Sequence, residues 1–539
     1  MSKNETKGIS NETPKILKNK FYLYLTEFFS GMSVMAVELG ASRLLAPYFS
    51  SSQIVWTIII GTIMIAMALG NIYGGKSADK NPNPDKLYAR ILVAGVWIAA
   101  IPFLGKFAVL GISGLLVVTV NTNFLIWAAF ITCMVVFVYP LFLLGTVTPS
   151  LVKYTVDSLD DNGKTVGMMN ASNTIGSIIG TFVPTFISIP AVGTAVTFLI
   201  FSGILIALGL VYFISSKRGK GKVIASGLLF LICCGLSPSL GFAFWEKDLA
   251  YEGESVYNYL QVKDNERRTA LSTNVLFGVQ SVYMKSGELT GMYYDYAMAA
   301  PLMAETDDTT DILILGMGTG TYAKQCMEYF DGVTAEGVEI DEKIVELSRE
   351  YFDLPDDVTV TAYDGRAFLN VCDKMYDVIM VDAYQDITIP FQMSSKEFFA
   401  QVREHLAENG VMVVNMNMRA KDNNGINNYL ADTIASEFSE VFTVDVSNST
   451  NRELFASNDP KMIERFMEKS AVIENADLYS LMNEIGEEIV EYKAGGLILT
   501  DDRAPVELLG MSVIDDIIQE ELVYYKERFK EDGIEGLLG

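Results

Sequence analysis

The feature that most restricts this chain is a succession of apolar runs between Phe21 and Phe242. Each is about as long as a hydrocarbon layer is thick, ~20 residues at about 1.5 Å per residue. Roughly seven can be counted, near 21–48, 53–75, 87–106, 124–148, 168–190, 194–215 and 223–242, with 107–120 either extending the third or adding an eighth. In lipid the backbone of such a run is satisfied only as helix, so residues 21–243 are expected to form an all-α polytopic transmembrane bundle behind a tail, 1–20. A cleavable signal peptide does not fit the first run, which is long, carries Glu27 and Glu38, and leads into further spans.

Charge divides the sequence at the same place. Residues 1–242 hold 17 Lys/Arg against 9 Asp/Glu, about +8, and residues 243–539 hold 23 against 57, about −34. So acidic a second part excludes nucleic acid as a partner, because a phosphate backbone needs clustered Lys/Arg to replace its counterions. With seven spans and a cytoplasmic N-terminus, the Lys/Arg near the span ends fall on one side and the C-terminal part lies outside. An eighth span brings that part back to the cytoplasm but strands the basic loop 216–222 on the wrong face.

Polar groups inside spans are costly unless they meet a partner or a cavity, which makes Glu27, Glu38 and Arg43 functional candidates or, equally, a pairing that merely fixes helices. The spacing of Gly167, Ser172, Gly176 and Gly180 points to close helix packing. The five cysteines form no CxxC pair, and the one histidine, His405, reads as a surface residue of a helix. No metal site is implied, and chemistry resting on a His base is not expected.

From Tyr257 the pattern changes. ESVYNYLQVKD and ALSTNVLFGVQSVYM suggest a small antiparallel β unit within 250–300. After it DILILG, AEGVEI, VTVTAYD, YDVIMVDA and GVMVVNMN alternate with helical stretches, which predicts a doubly wound, methyltransferase-like α/β sheet across 301–539. Ligands of such sheets bind beyond the carboxyl ends of the strands. There ILILGMGTGTYA sets Gly316, Gly318 and Gly320 between strand and helix, where missing side chains let a ligand approach the backbone. Glu339 ends the next strand, suited to the two hydroxyls of a ribose, and Asp341 after it suits a helix cap. Asp364 and Gly365 stand at the third tip, suited to an adenine. Asp382 ends the fourth, with Tyr384, Gln385 and Asp386 just beyond, where a carboxylate would hold a cationic sulfonium or amine. No GK[ST] accompanies the glycines, so the expected ligand is a nucleoside without a required phosphate.

With these residues in place, the stretch from about Tyr257 to Asn415 resembles the spermidine synthases, the aminopropyltransferase family. The resemblance implies decarboxylated S-adenosylmethionine as donor, an amine acceptor such as a polyamine, and 5′-methylthioadenosine as product. It implies that Gln280 and Tyr293 shape the groove, Glu339 takes the ribose, Asp364 the adenine and Asp382 the donor's amino group. VELGASRLLAPYF, FLLGTVTPSLV, VGMMNASNTIGSIIG and LTDDRAPVE extend the likeness to the membrane-fused, transporter/spermidine synthase branch. LTDDRAPVE either closes over the site or caps the domain.

Two departures stand out. Where the family carries D-x-x-D, whose second Asp is the base, this chain reads Asp382-Ala-Tyr-Gln-Asp386, with Gln385 at the expected place. MYYDY, with Tyr294 and Asp295, replaces the family's amide-and-Glu pair. Loss of the acceptor would leave intramolecular cyclisation of S-adenosylmethionine itself, again releasing methylthioadenosine. A transporter with a nucleoside-sensing or remnant domain, and an S-adenosylmethionine-dependent methyltransferase, are the other readings. The expected location is a bacterial plasma membrane with the soluble domain in the cytoplasm, where the nucleoside is made; a homo-oligomer is left open.

Overall fold

The computed structural model describes residues 15–49, 52–120, 123–155, 162–237, 248–274, 279–306, 308–383, 389–417 and 425–510, with 513, 523 and 526. The chain clusters into two compact units. One comprises Met1–Phe49, Ile54–Leu116 and Ile126–Phe244, and the other is built on Trp245–Gly539.

The first unit is helical: α1 (Lys20–Phe49), α2 (Gln53–Lys80), α3 (Pro84–Thr119), a bent series of α4 (Phe124–Val136), α5 (Val138–Gly145) and α6 (Val147–Thr155), then α7 (Asn162–Val183), α8 (Ile189–Ser215) and α9 (Lys220–Leu236). Among the described residues four stretches are long and apolar enough to cross a membrane: Lys20–Phe49, Gln53–Lys80, Pro84–Val117 and Gly163–Ser215. The α4–α6 series, bent by 49°, makes up to five. The count differs from the seven runs of the sequence for physical reasons. Two runs fall in one 53-residue stretch interrupted at Gly193 (φ 76), residues 107–119 continue α3, and the last run is covered, among the described residues, by the 17-residue α9. Met64, Leu69 and Ile72 on α2 and Phe182 and Phe186 near the end of α7 point outward, as lipid-facing residues do.

The Gly stripe of α7 packs on α1. A Cβ at Gly176 would collide with the Phe28 carbonyl oxygen, and one at Gly180 with that of Met32. The two backbones therefore touch, which only glycine permits.

The second unit begins with a four-stranded antiparallel meander: β1 (Leu249–Glu254), β2 (Tyr259–Asp264), β3 (Arg268–Thr273) and β4 (Ser281–Met284). Two short helices, α10 (Tyr293–Ala297) and α11 (Ala299–Met303), lead into the large sheet. There β5 (Thr310–Leu315), β6 (Val333–Glu339), β7 (Thr359–Ala362), β8 (Tyr376–Val381) and β9 (Leu406–Asn417) run parallel, in the order β9-β8-β5-β6-β7. The intervening helices are α12 (Thr321–Tyr329), α13 (Glu342–Tyr351), α14 (Gly365–Leu369) and α15 (Lys396–Glu404). The five strands and α12, α13 and α15 are elements that the alternating runs predict, and the short α14 is an addition. Beyond β9 the chain adds α16 (Ile426–Ala435), β10 (Glu440–Asp445), β11 (Asn451–Ser457), α17 (Met462–Ser470), α18 (Ala476–Glu488) and β12 (Val490–Glu491). β11 pairs with β9 antiparallel and extends the sheet to eight strands.

The sheet's two faces bury separate apolar cores, one under α10–α12, α17 and α18 and the other under α15 and α16. The meander docks on the sheet through a third cluster, in which Leu260, Val262 and Leu271 pack on Ile344, Leu347 and Phe352 at α13. That contact brings β4 and the β1–β2 turn to the carboxyl ends of the parallel strands.

Candidate active site

At those strand ends lies a cavity of about 240 Å³. Its wall contains Gln280, Gly316, Gly318, Glu339, Asp364, Gly365 and Asp382, so seven of the residues read from the sequence meet in one place. Gly320 caps α12 in the left-handed conformation and faces a smaller pocket with Thr319 and Lys324. Tyr384, Gln385 and Asp386 lie outside the described residues.

Each wall residue is held by the local fold. Gly316 has φ 83, and a Cβ there would stand 2.5 Å from Ala383 Cα, so the β5 turn passes against the end of β8 only because it is glycine. Glu339 is buried, with Oε2 accepting from the Gly318 amide at 2.9 Å and Oε1 from the Asp341 amide at 3.0 Å. Burial pushes its carboxyl up to about 7 against the pull of these amides. Asp341 caps α13 through the Lys343 amide (3.1 Å) and also accepts from Ser255 Oγ at 2.6 Å and Asn258 Nδ2 at 2.8 Å, which anchors the β1–β2 turn beside Glu339. Asp364 caps α14 through the Ala367 amide at 2.8 Å.

Asp382 is the best-supported charge in the cavity. Its Oδ2 accepts from the Tyr293 hydroxyl at 2.5 Å and its Oδ1 from Asn415 Nδ2 at 2.9 Å. Protein packed around it raises its carboxyl to about 7; the two donors oppose that rise, and the neighbouring charge of Glu339 adds to it. Tyr293 therefore stands behind Asp382 and outside the cavity wall, while its neighbour Tyr294 faces the cavity and donates to the Gln280 carbonyl at 2.6 Å. Asp295 turns inward, accepting from Thr290 Oγ1, the Gly291 amide and Gln325 Nε2.

Several participants escape a reading of the sequence. Asn415 is the first polar residue after the apolar stretch of β9, but its role depends on β9 lying beside β8. Glu453 of β11, in register with Asn415, is fully buried, and neither carboxylate oxygen has a hydrogen-bond partner. Burial drives its carboxyl well above the usual range, and the charge of Asp382 adds to that. LTDDRAPVE supplies Asp501, which binds Arg366 through two 2.7 Å bonds while Arg366 Nη1 donates to the Gln392 carbonyl at 2.9 Å; Gln392 lines the cavity. His405, expected on the surface, is half-buried, its ring nitrogens 2.8 Å and 2.9 Å from the Gln401 and Cys372 carbonyls.

Fold and site together define a Rossmann-like domain with a cavity at the carboxyl ends of its parallel strands, bordered by the buried carboxylates of Glu339 and Asp382. Residues 292–452 match the family described as Spermine/spermidine synthase domain. A protein of Bifidobacterium longum (strain NCC 2705) named "Probable polyamine aminopropyl transferase" is 52% identical over 349 residues, covering 62% of this chain and 78% of that one. The polyamine aminopropyltransferase of Pyrobaculum calidifontis is 33% identical over 144 residues, 24% of this chain and 50% of its own length. The crystal structure of spermidine synthase from Thermotoga maritima aligns at 16% identity, covering 44% of this chain and 83% of that one, with a TM-score of 0.36. The chain belongs to the polyamine aminopropyltransferase family.

Proposed function

We propose that this chain transfers an aminopropyl group from decarboxylated S-adenosylmethionine to an amine and releases 5′-methylthioadenosine. The observation that carries the reading is Asp382, a carboxylate held by Tyr293 and Asn415 at the cavity's edge, past the ribose-type acceptor Glu339. In this reading Glu339 accepts the ribose hydroxyls, Asp364 the adenine amino group, and Asp382 the ammonium of the donor's propyl tail. The acceptor nitrogen forms a bond to the methylene carbon on sulfur, the carbon–sulfur bond breaks, and its electron pair neutralises the sulfonium. The proton lost by the amine goes to a base, for which Asp386 is the sequence's candidate.

Gln385, standing where the family carries its basic Asp, favours a second reading: attack from within S-adenosylmethionine's own tail, which needs no acceptor. Both readings keep the same donor site. The helical unit, by our inference, crosses a bacterial plasma membrane, with the nucleoside site on the cytoplasmic side where its ligand is made.

Mass spectrometry of full-length protein incubated with each donor, with and without putrescine, tests both. Methylthioadenosine and a lengthened amine from the decarboxylated donor alone support transfer. Methylthioadenosine from S-adenosylmethionine without amine replaces transfer by cyclisation, and adenosylhomocysteine in place of either overturns both.

A further inference from the structure

The helical unit contains a polar cluster that aminopropyl transfer does not use. Glu27 of α1 is fully buried. Its Oε1 accepts from Thr148 Oγ1 of α6 at 2.5 Å and from Asn173 Nδ2 of α7 at 2.9 Å. Its Oε2 is buried without a partner, and so is Ser30 Oγ, one helical turn further along α1. The cluster is built rather than incidental. Gly31 lacks the side chain that would stand 2.6 Å from the Asn173 carbonyl oxygen, and Gly176 and Gly180 press α7 onto α1, so the amide of Asn173 is carried to the carboxylate by backbone contact. Thr148 arrives on the second residue of α6, just past the break after Gly145.

We propose that Glu27, with Ser30, Thr148 and Asn173, forms a binding site for a monovalent cation inside the helical unit. Two neutral donors occupy one oxygen and orient the carboxylate, leaving the other oxygen and the Ser30 hydroxyl for a positive charge. A sealed carboxylate with an unmatched oxygen is costly unless a positive charge or a proton meets it. The cluster offers one formal charge, and among the described residues no group of three His, Cys, Asp or Glu converges anywhere, so a divalent ion is not the ligand it suits. A proton and an alkali-metal ion share the required chemistry. The titratable groups on the packed elements are otherwise engaged or lie apart: Lys153 of α6 pairs with Asp79 at 2.9 Å, Tyr22 donates to the Leu208 carbonyl at 2.7 Å, and Tyr212 of α8 donates to Asp85 at 2.5 Å. Glu38 lies three turns along α1, and neither Tyr154 of α6 nor Lys164 of α7 bonds to Glu27.

Infrared difference spectroscopy of the full-length protein reads this carboxyl directly, on stepping from about pH 5 to about pH 9 and on replacing choline chloride with NaCl or KCl. A carboxylic-acid band that titrates in the wild type, is absent from Glu27→Gln and ignores the salt identifies the proton. A titration midpoint that NaCl or KCl lowers at least several-fold in proton affinity identifies the metal ion competing for the oxygen. Spectra of wild type and Glu27→Gln that agree under every condition overturn the site and leave Glu27 a structural group. Thr148→Val guards against a Gln variant that does not fold: loss of one donor to the carboxylate should raise the proton affinity about tenfold, which a merely structural contact would not do.

Discussion

The two units each bury a carboxylate between two donors, and they differ in what lies on its open side. Asp382 is held by Tyr293 and Asn415 and borders a cavity of about 240 Å³, shared with Glu339 and with Gly316, Gly318, Asp364 and Gly365 from neighbouring strand tips. Glu27 is held by Thr148 and Asn173, and the glycines around it close helix on helix. In the sheet, Gly316 and Gly318 border an open cavity; in the helices, Gly176 and Gly180 bring backbone against backbone. The same residue type and the same hydrogen-bond plan serve opposite ends.

The largest effect should come from Asp382. Asp382→Asn removes the charge that the proposed reading sets against the donor's ammonium while keeping the size of the side chain, and loss of one partner of a buried charged pair costs about 3–5 kcal/mol. Transfer should fall by about two to three orders of magnitude in kcat/KM, measured as methylthioadenosine release. An Asn variant within about threefold of wild type would show that the cavity's charge is not what the donor reads, and the contrast with the helical cluster would collapse.

The glycines sharpen the comparison at a smaller scale. Gly316→Ala puts a methyl group against Ala383 in a left-handed turn, so donor affinity should drop about tenfold, with a loss of about 1–2 kcal/mol from backbone strain. Gly176→Ala drives a methyl into the Phe28 carbonyl and should lower the thermal stability of the helical unit, with donor affinity unchanged by calorimetry. Reversed results would mean that the strand-tip glycine only turns the chain.

Much of this arrangement is readable from sequence because strand tips are local. An apolar run that stops at Glu339, Asp364 or Asp382 announces where its last side chain stands, and a parallel sheet gathers those ends. Asn415 and Glu453 are not readable that way, since their neighbours are set by register between residues 30 or more apart in sequence, β9 on β8 and β11 on β9. Resemblance assigns Tyr293 to the groove, and in the fold its hydroxyl reaches the cavity through Asp382, a partner that no local pattern announces. Span counting has the opposite weakness. Hydropathy counts apolar residues, but a helix that continues past an apolar run, or is broken only at Gly193, follows backbone geometry that hydropathy does not see.

Glu453 gives the smallest and most discriminating effect, because it shares the sheet face of Asn415 without bordering the cavity. Its folded carboxyl binds a proton more tightly than the unfolded chain's, so between the ordinary Glu range and its raised folded value the native state carries the extra proton. Stability contributed by this group is therefore complete at low pH and is lost as pH rises through that window. Glu453→Gln removes the dependence. The variant should match the wild type within about 0.5 kcal/mol near pH 5 and exceed it by about 1–3 kcal/mol near pH 8, read from thermal unfolding of the full-length protein at both values. Donor affinity should change less than about threefold, since the carboxyl is outside the cavity wall. A variant that loses transfer as Asp382→Asn does, with no gain in stability at the higher pH, would instead make Glu453 a charged partner of Asp382. The polar row from β8 to β11 would then act as one unit in catalysis.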